Sequence, residues 1–551
     1  MAISASAQSV PGTVRPGSVE RTLRPALTEI PQDRIQIPAP QGFGTPRSAE
    51  TFTLTVKRIE VHGATALPPD VIAGAYRPLI GQTVSLTKIF EAARAITDLY
   101  AKAGYALCFA LVPAQQIDPA EGVVRIDVVE GYIGDVRIEG EEGGPLFPDY
   151  SKPLLASRPL KTAALERFLM LLNDVPGFTA NGVFDRIADA PKGATRLVVR
   201  IKNKPVTASL EMDNRGSRAF GPYQLSATFQ LHSLLGHGET LLLRGLKALN
   251  ANQLNAVVGR VAVPLSDDGL TLTLDTTYTD AHPGSAALSA LRFASSGWTG
   301  AARLTYPLLR GREQSLWLWA GIAAKSLRSQ LLATPFSRDR LSELQAGLTY
   351  TARDVQGVTT LDATLTQGLD LFGATTSADP LRSRIGGSGV FTALSLSVAR
   401  LNSIMDTPWG PIDIYAAALG QLASRGLLST EQCGYGAAAF GRAYDPNEFL
   451  GDDCLLGTAE IRWTPVPAIA LSPLDSLQIF VAADAGQVWN VGARGQGDRA
   501  QEGGASLGIG VRATLLERIN ASFEFDQPVG HIVALENNRA GRVFFRLKLE
   551  N

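Results

Sequence analysis

Two textures of hydrophobic and polar positions divide the chain. From about Pro205 onward, apolar residues alternate with Thr, Ser, Gly, Asp or Arg at a period of two, the mark of strands with two unlike faces. Leu270-Thr271-Leu272-Thr273-Leu274-Asp275-Thr276-Thr277-Tyr278, Leu316-Trp317-Leu318-Trp319 and Ser522-Phe523-Glu524-Phe525-Asp526 are clear cases. Turn residues such as Ser266-Asp267-Asp268-Gly269 and Gly311-Arg312 separate such runs. With strands of about ten residues and short turns alternating with longer loops, about 345 residues suit roughly 16 antiparallel strands. The pattern predicts a membrane all-β barrel over residues 205–551. Tandem soluble β-sandwiches would alternate too, but with clearer punctuation between domains.

Ahead of this region the period changes. Phe52 to Val61 alternates and ends at His62-Gly63, a half-buried strand and turn. Pro68-Pro69-Asp70 opens a helix to about Tyr76. A second helix starts at Leu86-Thr87, places Ile89, Ala92, Ala93, Ile96, Leu99 and Tyr100 on one stripe, and stops at Gly104. Strands Leu107 to Val112 and Val123 to Val129 complete a β-α-α-β-β unit, residues 51–131. The order then restarts over residues 132–204. Gly134 to Gly140 is a strand, Leu160 to Leu172 a helix with Leu165, Phe168, Leu169 and Leu172 on one face, and Val175-Pro176-Gly177 breaks it. Strands Val183–Ile187 and Thr195–Ile201 close the second small α+β unit, so the pair reads as a weak internal repeat.

Residues 1–50 are a signal remnant and a Pro-rich linker, with seven prolines between Pro11 and Pro46 that forbid long helices and strands. A short helix fits near Glu20–Leu27; a plain disordered tail fits the composition as well. Ala5-Ser6-Ala7 before Gln8 resembles a secretory cleavage site, although the charged and apolar segments that should precede it are missing.

Composition removes several classes. The net charge of -1 offers no basic face for nucleic acid. No apolar run reaches the roughly 18 residues of a membrane helix, as a barrel requires. Five histidines without an HExxH pair, and three cysteines without a CxxC, leave no metal or cofactor site to expect. Neither a GxSxG elbow nor a Ser/His/Asp or paired-acid arrangement supports an enzyme. Cys108 falls in a strand of the first unit and reads as a small core residue.

The longest break in the alternation runs over residues 424–456. A loop this long within strands is functional or disordered. Gly434-Tyr435-Gly436-Ala437-Ala438-Ala439-Phe440-Gly441-Arg442-Ala443-Tyr444 is rich in small residues, as suits a loop folded into a lumen. A buried Arg442 would need an anion. Asp484 interrupts an apolar strand with Ala482 and Gly486 on its own face, leaving room for a long side chain; it would equally suit a residue facing a wet lumen. Cys433 and Cys454 bracket the loop. A bridge between them would contribute on the order of 3 kcal/mol through loop entropy; the alternative is two free thiols.

At this point the chain resembles the two-partner-secretion transporters, the hemolysin secretion/activation proteins whose barrel follows polypeptide-transport-associated (POTRA) domains. The resemblance runs from about residue 50 to the end. It rests on Asp213-Asn214-Arg215-Gly216-Ser217, similar to the family's D-N-x-G-S at the barrel entrance. It rests also on Gly441-Arg442-Ala443-Tyr444, standing for V/I-R-G-Y/F at the tip of the sixth extracellular loop, and on Ala482-Ala483-Asp484-Ala485-Gly486, standing for F-x-D-x-G. The resemblance implies that Arg442 and Asp484 lock loop to barrel, with Gly441, Tyr444 and Gly486 around them. Gly441, Ala443 and Ala482 depart from the motifs and put the packing around the pair in question. The last residues, Val543 to Asn551, alternate and end on Asn where such barrels commonly end on an aromatic.

The resemblance implies a bacterial outer-membrane pore with POTRA domains in the periplasm. They would capture an unfolded, secreted partner protein by β-augmentation. The client would thread the lumen and fold outside. No GxxxxGK[ST] supplies ATP, so client folding would drive export. Outer-membrane lipid is a further partner and periplasmic chaperones are candidates. An assembly factor that inserts other outer-membrane proteins is the main rival, though such factors usually carry more periplasmic units. A passive porin is another, and would not need the units at all.

Overall fold

The computed structural model describes residues 12–15, 17, 52–118, 121–140, 149–249, 253–466, 473–491 and 499–551. The cleavage-like site and the helix expected near Glu20–Leu27 lie outside the described residues.

In the first α+β unit the strand expected over Phe52 to Val61 is broken in two. The strands β1 (Thr53–Thr55) and β2 (Arg58–His62) flank Val56-Lys57, where the backbone turns to bond Gln82 and Gly122 instead. The helix α1 (Pro69–Gly74) has proline at its start. A short strand β3 (Thr83–Ser85) pairs with β1, and helix α2 (Leu86–Lys102) follows. Strands β4 (Cys108–Leu111) and β5 (Val123–Glu130) complete a three-stranded sheet ordered β2-β5-β4, with β2 parallel and β4 antiparallel to β5. The predicted stripe of α2 faces this sheet: Ile89, Ala93, Ile96 and Tyr100 are buried with Val124, Ile126 and Val128. Cys108 joins this core, and burial pushes its thiol up to about 11, so it packs as a hydrophobe.

The second unit repeats the plan. Strand β6 (Tyr132–Gly140) is followed by α3 (Ser151–Ala156), for which the sequence carries no stripe, and by α4 (Thr162–Asp174). Strands β7 (Phe178–Arg186) and β8 (Ala194–Asn203) give the sheet order β6-β8-β7. Strand β7 begins five residues earlier than expected, because Gly177, at φ +83°, reverses the chain directly after the helix. Leu165, Phe168, Leu169 and Leu172 pack on Leu197 and Val199 as their spacing predicted. The two units share a core edge: Leu107 of the first is buried in the second, and Gly104 and Gly131 accept backbone bonds from Thr162 and Leu160.

Among the described residues sixteen further strands form one closed barrel, all antiparallel. Closure leaves no sheet edge. The first barrel strand, Val206–Asp213, has 8 residues, and Thr334–Arg353, nearly opposite, has 20. The alternation read from sequence is realised as outside and inside. Leu241, Leu243, Leu274, Ile322 and Leu344 stand exposed on the outer wall, an area of apolar surface that only lipid covers without cost. The second unit docks on the barrel's near end. Arg310 grips Asp174 with both nitrogens of its fork at 2.8 and 2.6 Å, and Arg167 donates to the carbonyls of Pro307 and Asp268, 2.8 Å each.

Glu130 secures the first unit. Its carboxylate accepts from the backbone of Thr65 and Ala66, the Thr65 hydroxyl and Tyr100. Burial alone would raise its pKa, but these donors outweigh it and hold the carboxyl below the usual carboxylate range. A depressed carboxyl lends stability that is complete above the unfolded value of about 4.3 and is lost as pH falls through the lower folded value. The protection of amides in α2 and β5, taken relative to their intrinsic exchange rate at each pH, should therefore fall below about pH 4. Glu130→Gln should show faster exchange at neutral pH, by about 1–3 kcal/mol of lost protection, and a flatter pH response, measured by hydrogen–deuterium exchange on the whole protein.

Candidate functional site in the barrel lumen

The long loop leaves the barrel wall after Ala423 and rejoins it at Asp453, so residues 453–456, expected in the loop, begin the next strand, Asp453–Trp463. Its stem is a two-stranded ribbon, Cys433–Tyr435 against Phe449–Gly451. Cys433 and Cys454 form a disulfide, with Cα atoms 6.1 Å apart across 21 positions. The bridge ties the stem to the wall. Arg384 to Asp452 (2.7 Å) and Lys325 to Glu431 (2.7 Å) anchor the same end.

The tip points into the lumen, where the wall receives it. On the strand Leu474–Trp489, Phe480, Ala482, Asp484 and Val488 are buried on the inner face with Gly486 half-buried between them, while Val481 and Trp489 face out. Asp484 is thus on the predicted face. Arg442 is 3% exposed, and each of its nitrogens donates a hydrogen bond. Its Nε and Nη2 donate to the two Asp484 oxygens at 3.0 and 3.2 Å, and its backbone N–H donates to Oδ2 at 2.9 Å. Nη1 donates to Glu460 and Nη2 to Thr458, both at 3.1 Å, and Ser506 donates to Asp484 at 2.7 Å. Such a pair is stable in a buried place only because the remaining donors and acceptors are met.

The motif departures have a physical basis in this packing. Gly441 lies at φ +84°, and a Cβ there would come 2.6 Å from the Tyr435 ring; one on Gly486 would come 2.3 Å from the same ring. Tyr435 fills the space an aliphatic residue would take at 441. The aromatic missing at Ala482 is supplied one inward position earlier, by Phe480, over whose ring lie the guanidinium groups of Arg512 (3.8 Å) and Arg442 (5.9 Å). Tyr444 donates to the carbonyls of His531 and Val529 and packs on Tyr435 and Phe449. Arg542 of the last strand holds Asp445 at 2.5 Å and the Ala443 carbonyl at 2.9 Å. Tyr435, Phe480, Glu460, Arg512 and Arg542 were not singled out from sequence. Glu460 and Arg512 sit at inward positions of their strands, a signal the alternation carried, but nothing in the spacing said they would converge.

Asp213-Asn214-Arg215-Gly216-Ser217 ends the first barrel strand at the far end, away from the α+β units, not at the entrance expected. Its Arg215 reaches Glu524 at 2.5 Å, within the same charged cluster. At that far end Thr13 and Val14 are also buried, Val14 packing with Ala219, Phe220, Ala248, Leu254 and Ala281. Among the described residues no group of His, Cys, Asp and Glu is placed to hold a metal ion.

The family model for haemolysin secretion/activation protein ShlB/FhaC/HecB matches residues 193–513, and that for the ShlB-type POTRA domain matches residues 54–131. The chain belongs to the haemolysin secretion/activation protein family. As a member of it, the chain is an outer-membrane barrel protein with its first α+β unit a POTRA domain. It is 24% identical over 468 residues to the outer membrane transporter CdiB of Escherichia coli O6:K15:H31 (strain 536 / UPEC), covering 82% of this chain and 74% of that one. It is 27% identical over 212 residues to the heme/hemopexin transporter protein HuxB of Haemophilus influenzae (strain 86-028NP), covering 37% of this chain and only 36% of that relative's length. The solved structure of CdiB from Escherichia coli superposes with a TM-score of 0.71 at 19% identity, covering 99% of this chain and 94% of that one. CdiB from Acinetobacter baumannii gives 0.65 at 14% identity, covering 94% and 95%. These likenesses bear on the fold.

Because Tyr435 is wedged between two glycines, Gly486→Val should drive its ring out and unseat the loop tip, at about 1–3 kcal/mol of overpacking. Limited proteolysis of residues 434–452 on intact cells should then become faster, and the Cys433–Cys454 bridge should keep the cut fragments joined until a reductant is added.

Proposed function

We propose that this protein is a pore that captures an unfolded partner protein in the periplasm and passes it through its own lumen to the cell exterior without ATP. Residues 132–204, which repeat the order of the POTRA domain before them, act as a second such domain. The single observation that carries the reading is the buried Arg442 with its Asp484 and Glu460 partners. A porin keeps a water-filled channel, whereas here a loop tip is chemically keyed to the wall inside the lumen. A protein that must switch between sealed and open needs such a key.

The rest of the architecture supports the reading. Among the described residues β7 pairs on one side only, with β8, and leaves an edge on which a client strand can add. At the head of β7, a cavity of about 370 Å³ lies between Tyr150 and Pro176 of the second unit and Thr240, Thr271 and Trp317 of the inner barrel wall. The loop tip reaches into the lumen, and transport requires it to move. Arg442 to Asp484 sets where the loop rests. The protein acts as a conduit, and the family match favours secretion over the insertion of other barrels.

Arg442→Ala leaves the buried Asp484 without its cation, while Glu460 keeps Arg462 and Arg512, and should loosen the loop by about 3–5 kcal/mol. Secretion of a client co-expressed from a neighbouring gene should fall sharply, while the heat-modifiable migration of the inserted barrel stays as in the parent. Normal export by that variant would refute the gating role of the pair.

A further inference from the structure

The barrel closes where its first strand, Val206–Asp213, meets its last, Arg542–Glu550. This seam has five register pairs, from Asp213 with Arg546 to Ser209 with Glu550. Every other neighbouring pair of barrel strands has eight or more. The ladder is short because the first strand stops at Asp213, while the last continues four residues further, to Arg542.

At each end of the short ladder one asparagine side chain takes the place of a missing peptide. Beyond Asp213, the Asn214 amide Nδ2 donates to the Val543 carbonyl at 2.9 Å and its Oδ1 accepts from the Phe545 N–H at 2.8 Å. At the other end, Asn551 Oδ1 accepts from the Ala208 N–H at 3.0 Å and its Nδ2 donates to the Val206 carbonyl at 3.4 Å. Each side chain bonds the N–H of one residue and the carbonyl of the residue two away, as a strand neighbour would. A carboxamide carries the same donor and acceptor as a peptide group. Aspartate lacks the donor, and serine or alanine cannot span both groups.

We propose that Asn214 and Asn551 are paired clasps that hold the barrel seam shut, and that they act as positioning residues for the closed tube. This gives Asn214 of Asp213-Asn214-Arg215-Gly216-Ser217 a role of its own. It clasps the seam, while the next residue, Arg215, turns inward to Glu524 at 2.5 Å, itself 3.9 Å from Arg442. The seam end and the loop tip therefore meet on one acid.

The test is hydrogen–deuterium exchange on the full chain in detergent or lipid. Peptides from 206–213 and 542–550 are compared with the interior strands 474–489 and 501–515. Asn214→Ala should speed exchange at Val543 to Phe545 by about tenfold, the factor for roughly one net hydrogen bond lost. Asn551→Ala should do the same at Val206 to Ala208. The interior strands should not change in either. Asn214→Asp keeps the acceptor for the Phe545 N–H and loses the donor, so protection at Phe545 should largely return. In Asn551→Ala, cysteines at the register partners Ser209 and Glu550, once oxidised, should restore slow exchange. Each single variant keeps the five-pair ladder and the opposite clasp, so each is expected to insert. Seam protection unchanged in both alanine variants, or lost equally from the interior strands, would overturn the proposal.

Discussion

A guanidinium placed out of water must be matched by an anion and by acceptors for its remaining protons. The inside of this barrel is arranged around that constraint. Arg442 arrives on a loop from the far end of the lumen, and the wall offers Asp484, Glu460 and Thr458 to its backbone N–H and to four of its guanidinium N–H groups. Ser506 and Arg512 then balance the acids in turn. Remove the cation and Asp484 loses its ion pair, while Glu460 keeps Arg462 and Arg512; remove Asp484 and the guanidinium loses its two-pronged partner. Because the pair is satisfied only in one geometry, it acts as a register mark for the loop.

The stem and the tip are held by different physics. The disulfide and the ion pairs of Asp452 and Glu431 fix the stem near the far rim. The tip is held by hydrogen bonds, charge and the aromatic cluster of Tyr435, Tyr444 and Phe449. Covalent bonds do not release on the timescale of transport, whereas a set of polar contacts does once water or another chain competes for them. The division places any movement in the tip and leaves the stem as its pivot.

The period of two made the barrel legible, because inner and outer faces meet such different surroundings that the alternation has to be written into the residues. The three- and four-residue stripes of α2 and α4 were legible for the same reason. Helix α3 was not, since Ser151–Ala156 is too short to show a stripe and contains Pro153. The break at Val56-Lys57 was hidden because Phe52 to Val61 keeps its alternation while its hydrogen-bond partners change. In the lumen, Arg442 and Asp484 could be named from the small residues around them and from the family motif. Tyr435 and Phe480 could not, because they compensate for departures from that motif, and compensation is a property of space rather than of spacing. The asparagines at the seam were visible as residues but mute, since a side chain that imitates a peptide leaves no pattern.

The wall is uneven in height. At about 3.3 Å per residue and a tilt of about 40°, the 8 residues of the first strand rise about 20 Å, a little short of the apolar band of an outer membrane, whereas the 20 of Thr334–Arg353 rise about 51 Å. The excess stands beyond the lipid as a one-sided parapet, tall opposite the seam and low beside it. A chain leaving the lumen would meet a sheet surface on one flank and open water on the other. Its first folded turns would therefore form in the lee of the barrel, with the route away from the cell lying over the seam.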